Sequence, residues 1–232
     1  MSSDTNVSAK HSPTVQSMII CVPAEIPDQA VMSRQVLKHF GVTGTTHRRF
    51  WTTPLRPWHH RRLIDLHQGK PATCAGGPTR LLDLDAVRHA AGVSAGLRHQ
   101  RWSQVVAGTR PATAWHVLLG KHHADPDKYP LAKARADFDN QPRVLAMAMH
   151  NAAAYHQPHL DPAELEMFQA GPAAYQHFHA LTQICAHALL TEDGKQLTPH
   201  SDTFADRIRY LETARRHIDA LDPATRLLAV TL

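Results

Sequence analysis

Cysteine is scarce in this sequence. Only Cys21, Cys74 and Cys185 appear among 232 residues, and none belongs to a C-x-x-C pair. An odd, scattered set excludes a disulfide framework and a cysteine zinc site, and it points to a reducing cytoplasm. Long apolar runs are missing too: a run such as Met18 to Val22 is far too short to span a bilayer. It lacks the basic flank and cleavage site of a secretory leader, so a cytoplasmic chain with no membrane partner is expected. Phosphate-cradling G-x-x-x-x-G-K-S/T and G-x-G-x-x-G loops are absent, as is a G-x-S-x-G nucleophile elbow. Acidic residues nearly vanish from one stretch. Residues 31–116 hold 3 Asp and Glu, too few to position magnesium as a nuclease or recombinase would. An enzyme is not expected.

What that stretch holds instead is 13 Lys and Arg, a local net of +10, whereas residues 1–30 carry −2 and residues 117–232 carry −3. A basic segment joined to a mildly acidic one reads as a polyanion-binding part and a part for something else. An apolar content of 43% with 19% charged residues is that of a folded chain, long enough for one sizeable core or two small ones. Nineteen histidines invite a metal, but their spacing does not. His177 and His179 would leave a helix on different sides, His150 and His156 are poorly aligned, and no H-E-x-x-H is present. No metal ligand and no cofactor are expected.

Helical periodicity dominates the remainder. A polar tail over residues 1–27 carries a possible short strand at "TVQSMIICVP". From Asp28, "DQAVMSRQVLKHF" sets Val31, Met32, Val36, Leu37 and Phe40 on one stripe, and Gly41 stops it. Thr43 caps a second short helix over residues 43–51, and Pro54 and Pro57 break the chain. "WHHRRLIDLHQGK" can form another short helix, and "PATCAGGPTR" is turn-rich. Further helices are expected over residues 82–91, over "SAGLRHQRWSQVVAGTRP" as far as Gly108, and over residues 112–119. "KHHADPDKYP" reads as a linker. Beyond it, helices are expected over residues 141–155, in "DPAELEMFQA", onward from Pro172, and over residues 201–221, with a last turn opened by Asp222-Pro223. The domains implied are the tail, a basic DNA-binding domain over 28–120, and a helical domain over 121–232 for oligomerisation, a partner or a second DNA contact.

A helix-turn-helix needs a small residue at its turn, an apolar anchor after it and a polar outer face that fits the major groove. "SRQVLKHFGVTGTTHRRFW" supplies Val36 and Phe40, then Gly41 at the turn and Val42 as the anchor, with Phe50 burying the far end. The segment resembles the winged helix-turn-helix of the excisionase and MerR-type families, and "GGPTRLLDLDAVRHAAG" resembles the strand and helix that close that fold. The resemblance covers residues 31–92. It implies a mainly helical protein with an N-terminal winged helix-turn-helix, a small β wing and a helical C-terminal domain. Gly44, Thr45, Arg48 and Arg49 would face base edges or phosphates, with Thr43 and Thr46 capping or touching the backbone. Arg56, His59, His60, Arg61, Arg62 and Lys70 would line the sugar-phosphate ridge or enter the minor groove. His47 stands where the family buries an aliphatic residue. Trp51 and Trp58 interleave with the basic run; they could stack on bases, but core positions are preferred.

"AAGVS" followed by "RWSQVVAGTRPATA" is similar to fragments of the XRE/lambda-repressor-type domain. Residues 93–120 would then form a second DNA-reading unit exposing Arg98, Arg101 and Gln104, or a helix packed on the first domain. The expected function is sequence-specific binding of double-stranded DNA by a homodimeric transcriptional repressor or regulator of a bacterium, phage or plasmid. An excisionase-like architectural factor and a packaging or replication protein, such as a small terminase subunit, are the alternatives. On this reading a fragment ending near Lys121 still binds DNA, with less cooperativity.

Overall fold

The computed structural model describes residues 16–27, 31, 35–153 and 159–232. Residues 1–15 of the expected 1–27 tail, the helix start at Asp28 with Met32, the Val36 side chain, and the helix end at Tyr155 lie outside these. In chain order the first elements are β1 (Ser17–Val22), α1 (Gln35–His39), β2 (Thr45–Thr46), β3 (Phe50–Trp51), a 3-10 helix (Pro57–Arg62), β4 (Thr73–Cys74) and β5 (Gly76–Pro78). Next come α2 (Leu84–Val105), α3 (Trp115–Ala124), α4 (Leu131–Asp139), α5 (Pro142–Ala153), α6 (Leu165–Gln169) and α7 (Pro172–Cys185). The chain ends through β6 (Ala188–Leu190), β7 (Gln196–Leu197), α8 (Phe204–Asp219) and β8 (Arg226–Thr231). It divides into two compact units, residues 1–84 with 184–232, and residues 85–183. Residues 121–232, grouped together from the sequence, are thus shared between the units.

The first unit is built on a six-stranded mixed sheet ordered β2-β8-β1-β6-β7, with β5 also paired to β8. The apolar run Met18 to Val22 is its centre: β1 is buried throughout, antiparallel to β8 and parallel to β6. Strands buried on both faces read as continuous apolar runs, which is why this one shows no alternation. Met18, Ile20 and Val22 share a core with Leu190, Leu228 and Val230, and Leu37 and Ile64 belong to the same cluster. Gly41 adopts φ +64°, and Val42 N–H donates to Leu37 O at 2.8 Å, so the expected helix stop holds. Phe40 and Val42 do act as anchors, but against this sheet core.

The expected mainly helical, winged helix-turn-helix architecture is therefore corrected to a mixed α/β one. Residues 43–51 form no recognition helix; they hold β2 and β3. The sheet is no small wing, since its longest strands, β1 and β8, come from the two ends of the described chain. The physical reason lies in β8. Thr45 and Thr46 are β-branched residues suited to a strand, and they pair with Thr231 and Val230. Gly44 allows that approach, because a Cβ there would overlap Thr231 O and stand 2.7 Å from Val230 Cγ1.

The second unit is helical. α2 runs unbroken where the sequence suggests two helices, with Gly92 and Gly96 inside it. Gly96 brings α2 close to α7, since a Cβ there would come within 2.8 Å of Gln176 Nε2, whereas one at Gly92 would meet Ala180 Cβ at an ordinary contact distance of 3.6 Å. A ring stack fills its interior, Trp102 on Phe168 at 5.0 Å and Phe168 on Tyr175 at 4.4 Å between centroids. α3 extends into the stretch read as a linker, and α4 comes after it where no element was expected. Among the described residues no helix is long and apolar enough to cross a membrane.

Candidate nucleic-acid interface

Between β3 and β4 the chain makes an excursion whose ends are fixed and whose middle is polar. Pro57 occupies the first turn of the 3-10 helix, where a missing N–H costs nothing, and Arg56 N–H donates to His59 Nδ1 at 3.3 Å. Beyond the helix Leu63 and Ile64 are buried, and Ile64 exchanges backbone bonds of 2.9 and 2.8 Å with Gly76 and Ala75. These anchors leave the helix itself without a buried residue. Arg56, Arg61 and Arg62 are exposed, and His60 lies beside Gln68 Nε2. Trp58 is 55% exposed, with the Arg56 guanidinium 5.3 Å from its ring centroid and the His59 ring edge-on. The expectation of a core position fails for Trp58. Trp51, in β3, is half-buried.

The residues expected on the recognition helix are spread over β2, β3 and their loop. Thr43 and Thr45 are exposed, and Gly44 lies against β8. Thr46 Oγ1 donates to the Asp65 carboxylate, and Arg48 Nε donates to Asp65 O at 3.0 Å. Asp65, at φ +50°, so organises two of them from one turn. Lys70 is exposed on the loop before β4.

Arg49 turns inward. Its Nη1 donates to His47 Nε2 at 3.4 Å, and burial lowers the guanidinium pKa while Cys185 and Tyr210 oppose the shift. His47 Nε2 accepts, so Nδ1 carries the proton and donates to Thr231 Oγ1 at 3.0 Å. This is the role the sequence left open for His47: it ties Arg49 to β8. Burial first, and Arg49 second, lower the His47 pKa from 6.5. Strand register sets Thr45, Thr231 and Ser17 in one row, and His187 continues it by donating its N–H to Ser17 O at 3.1 Å. The His187 ring lies 2.9 Å from Ser17 Oγ, and its pKa is lowered by burial, then Arg207, then Arg49. Sequence reasoning missed Ser17, His187 and Arg207, and no local pattern marks them; long-range pairing sets Ser17 beside His187, and Arg207 acts on that ring from α8.

Arg98 and Arg101 belong to the second unit. Arg98 Nη1 reaches Tyr175 OH at 3.5 Å and the Glu164 carboxylate at 3.9 Å, and Arg101 is half-buried on α2. Of the expected contact residues, the structure gathers His60, Arg61 and Arg62 on one 3-10 helix with Arg56 at its N-cap, and groups Thr46 with Arg48. Among the described residues no three His, Cys, Asp or Glu side chains cluster as metal ligands. Comparison with protein-family models, with curated proteins and with solved structures finds no match to this chain.

Proposed function

We propose that the chain binds nucleic acid, DNA foremost, through the basic surface around the 3-10 helix of its first unit, with no catalytic step. The observation that carries this reading is Trp58, an indole left 55% exposed among Arg56, His59, Arg61 and Arg62. A large ring held in water among cations offers a face on which a base can stack, and its neighbours offer charge to phosphates. Stacking of this kind needs an unpaired base, so single strands or opened duplex are the preferred ligand. The major-groove contact expected from the sequence is not carried forward, because residues 43–51 hold two short strands and no helix. Arg49 has no part in the proposed contact, being committed to His47. A regulatory role is proposed on the same footing: occupancy of DNA can control a promoter without chemistry.

The test is a fluorescence titration of the full chain with a poly-dT oligonucleotide and with duplex DNA, over a range of salt. The single strand is expected to bind more tightly and to quench tryptophan emission. Trp58→Ala should cost about 1–3 kcal/mol of affinity, the usual worth of one base–aromatic stack. Replacing Arg61 and Arg62 with alanine should weaken binding and lower the salt slope by about 1 for each phosphate no longer neutralised. Unchanged affinity in Trp58→Ala would remove the stacking interaction. Binding that is absent, or indifferent to salt, would sink the whole reading.

A further inference from the structure

A second, chemically different site lies wholly within the helical unit and does not depend on the nucleic-acid reading. An open cleft of about 340 Å³ is lined by Trp102, Ser103, Val106, Ala107, Arg143 and Phe168, among others. Such a volume falls in the range of small-molecule sites. Trp102 and Val106 show it only apolar edges, and the fully buried Phe168 is stacked on Trp102. Gly108 and Gly171, at φ +76° and +101°, stand at its edge with open space where a Cβ would be.

Arg143 is the feature that needs explaining. Its guanidinium lies 5.4 Å from the Trp102 ring centroid and is held by three hydrogen bonds: Nε to Thr109 Oγ1 at 3.2 Å, Nη2 to Thr109 O at 3.0 Å and Nη1 to Gln169 Oε1 at 2.9 Å. All three acceptors are neutral. No carboxylate among the described residues pairs with it, and desolvation is the cause of its lowered pKa. A guanidinium has five N–H groups, so one remains on Nη1 and one on Nη2. Nearby, the buried Trp102 Nε1 has no acceptor among the described residues. His99 is already spent: Nε2 donates to Phe168 O at 3.0 Å, which leaves Nδ1 to accept from Ser103 Oγ at 3.4 Å. The wall thus carries a fixed cation with spare donors and without a counter-charge, beside apolar surface. A planar, pre-organised guanidinium pairs in a fork with carboxylates and phosphates, and the apolar edges beside this one suit the organic body of a carboxylate.

We propose that this cleft binds a small organic carboxylate, its anionic end on Arg143 and its apolar body against Val106 and Ala107. The probe is 4-fluorobenzoate, followed by fluorine NMR with the full-length protein, with 4-fluorobenzamide as the neutral control. The acid should bind at least about tenfold more tightly than the amide, because only the acid supplies the missing charge. Arg143→Lys keeps the charge but loses the fork, and should weaken the acid by about tenfold or more. Because Arg143 also braces Thr109 and Gln169, a second variant guards against simple misfolding. Ala107→Phe fills the cleft from an exposed position and should abolish binding of the acid. Equal binding of acid and amide, no binding of the acid at about 10 mM, or full binding by Ala107→Phe would each overturn the assignment.

Discussion

At the scale of single residues, the first unit is marked by imidazoles and thiols held in their neutral forms. The pKa values of His47 and His187 both lie below 6.5 in the fold, burial being the larger cause in each. The unfolded chain therefore takes up these protons first as the pH falls below about 6.5. Stability contributed by the neutral rings is present above that value and is lost as the pH drops toward the folded-state pKa values. His187→Gln keeps a polar partner for Ser17 Oγ and removes one proton site, so it should flatten the fall in urea midpoint between about pH 7.5 and pH 5. An undiminished slope would place the acid sensitivity elsewhere. Burial likewise pushes the Cys21 and Cys74 thiols up to about 12 and raises Cys185 further. All three should resist Ellman's reagent in the native protein at about pH 8 and react on unfolding, since only thiolates attack. Fast labelling of any one would mean that the sheet opens on the timescale of the assay.

At the scale of elements, the contrast between α1 and β2 separates what a sequence discloses from what it conceals. The stop at Gly41 and the inward packing of Val31, Leu37 and Phe40 are local facts, and the structure keeps them, with Val42 packed on the sheet core in place of a second helix. The conformation of the chain beyond Gly41 is decided by a strand at the other end of the molecule. "TGTTHRRFW" has helix-compatible spacing, yet β2 exists only because β8 offers Thr231 and Val230 as partners. No window of neighbouring residues contains that information, and two-residue strands leave no period to detect. The β6–β7 hairpin did leave a signal, Asp193-Gly194 between the apolar "ALL" and "QL", and β8 left the apolar run "LLAV". Within the candidate interface, the arginines of the 3-10 helix could be foreseen from composition. The exposure of Trp58 could not, because the burial preference of large rings is only statistical. Gly44→Ala tests the pairing directly. An added methyl must displace the backbone of β8, so a loss of about 1–3 kcal/mol in urea unfolding is expected. A variant as stable as the parent would show that β2 does not lie against β8.

At the scale of the whole molecule, the first unit closes only when residues before Leu84 meet residues after Ile184. β1 takes both of its sheet neighbours, β6 and β8, from the later segment. The surplus charge resides in the earlier one: residues 31–84 carry nine basic against two acidic side chains, while residues 184–232 carry six against seven. The segment that holds the proposed contact thus lacks β6 and β8, the strands on either side of β1. A chain cut near Lys121, which the sequence suggests should still bind DNA, loses β6 and β8 and leaves β1 with unpaired edges and exposed apolar faces. Such a fragment is expected to show no cooperative unfolding transition and no salt-dependent binding of the poly-dT oligonucleotide. Residues 85–183 are continuous in sequence and contain their own stacked aromatic core, so that piece alone should give a helical circular-dichroism spectrum and a cooperative thermal transition. Should the Lys121 fragment instead fold and bind as the full chain does, the long-range pairing of β1 with β6 and β8 could not be what builds the interface.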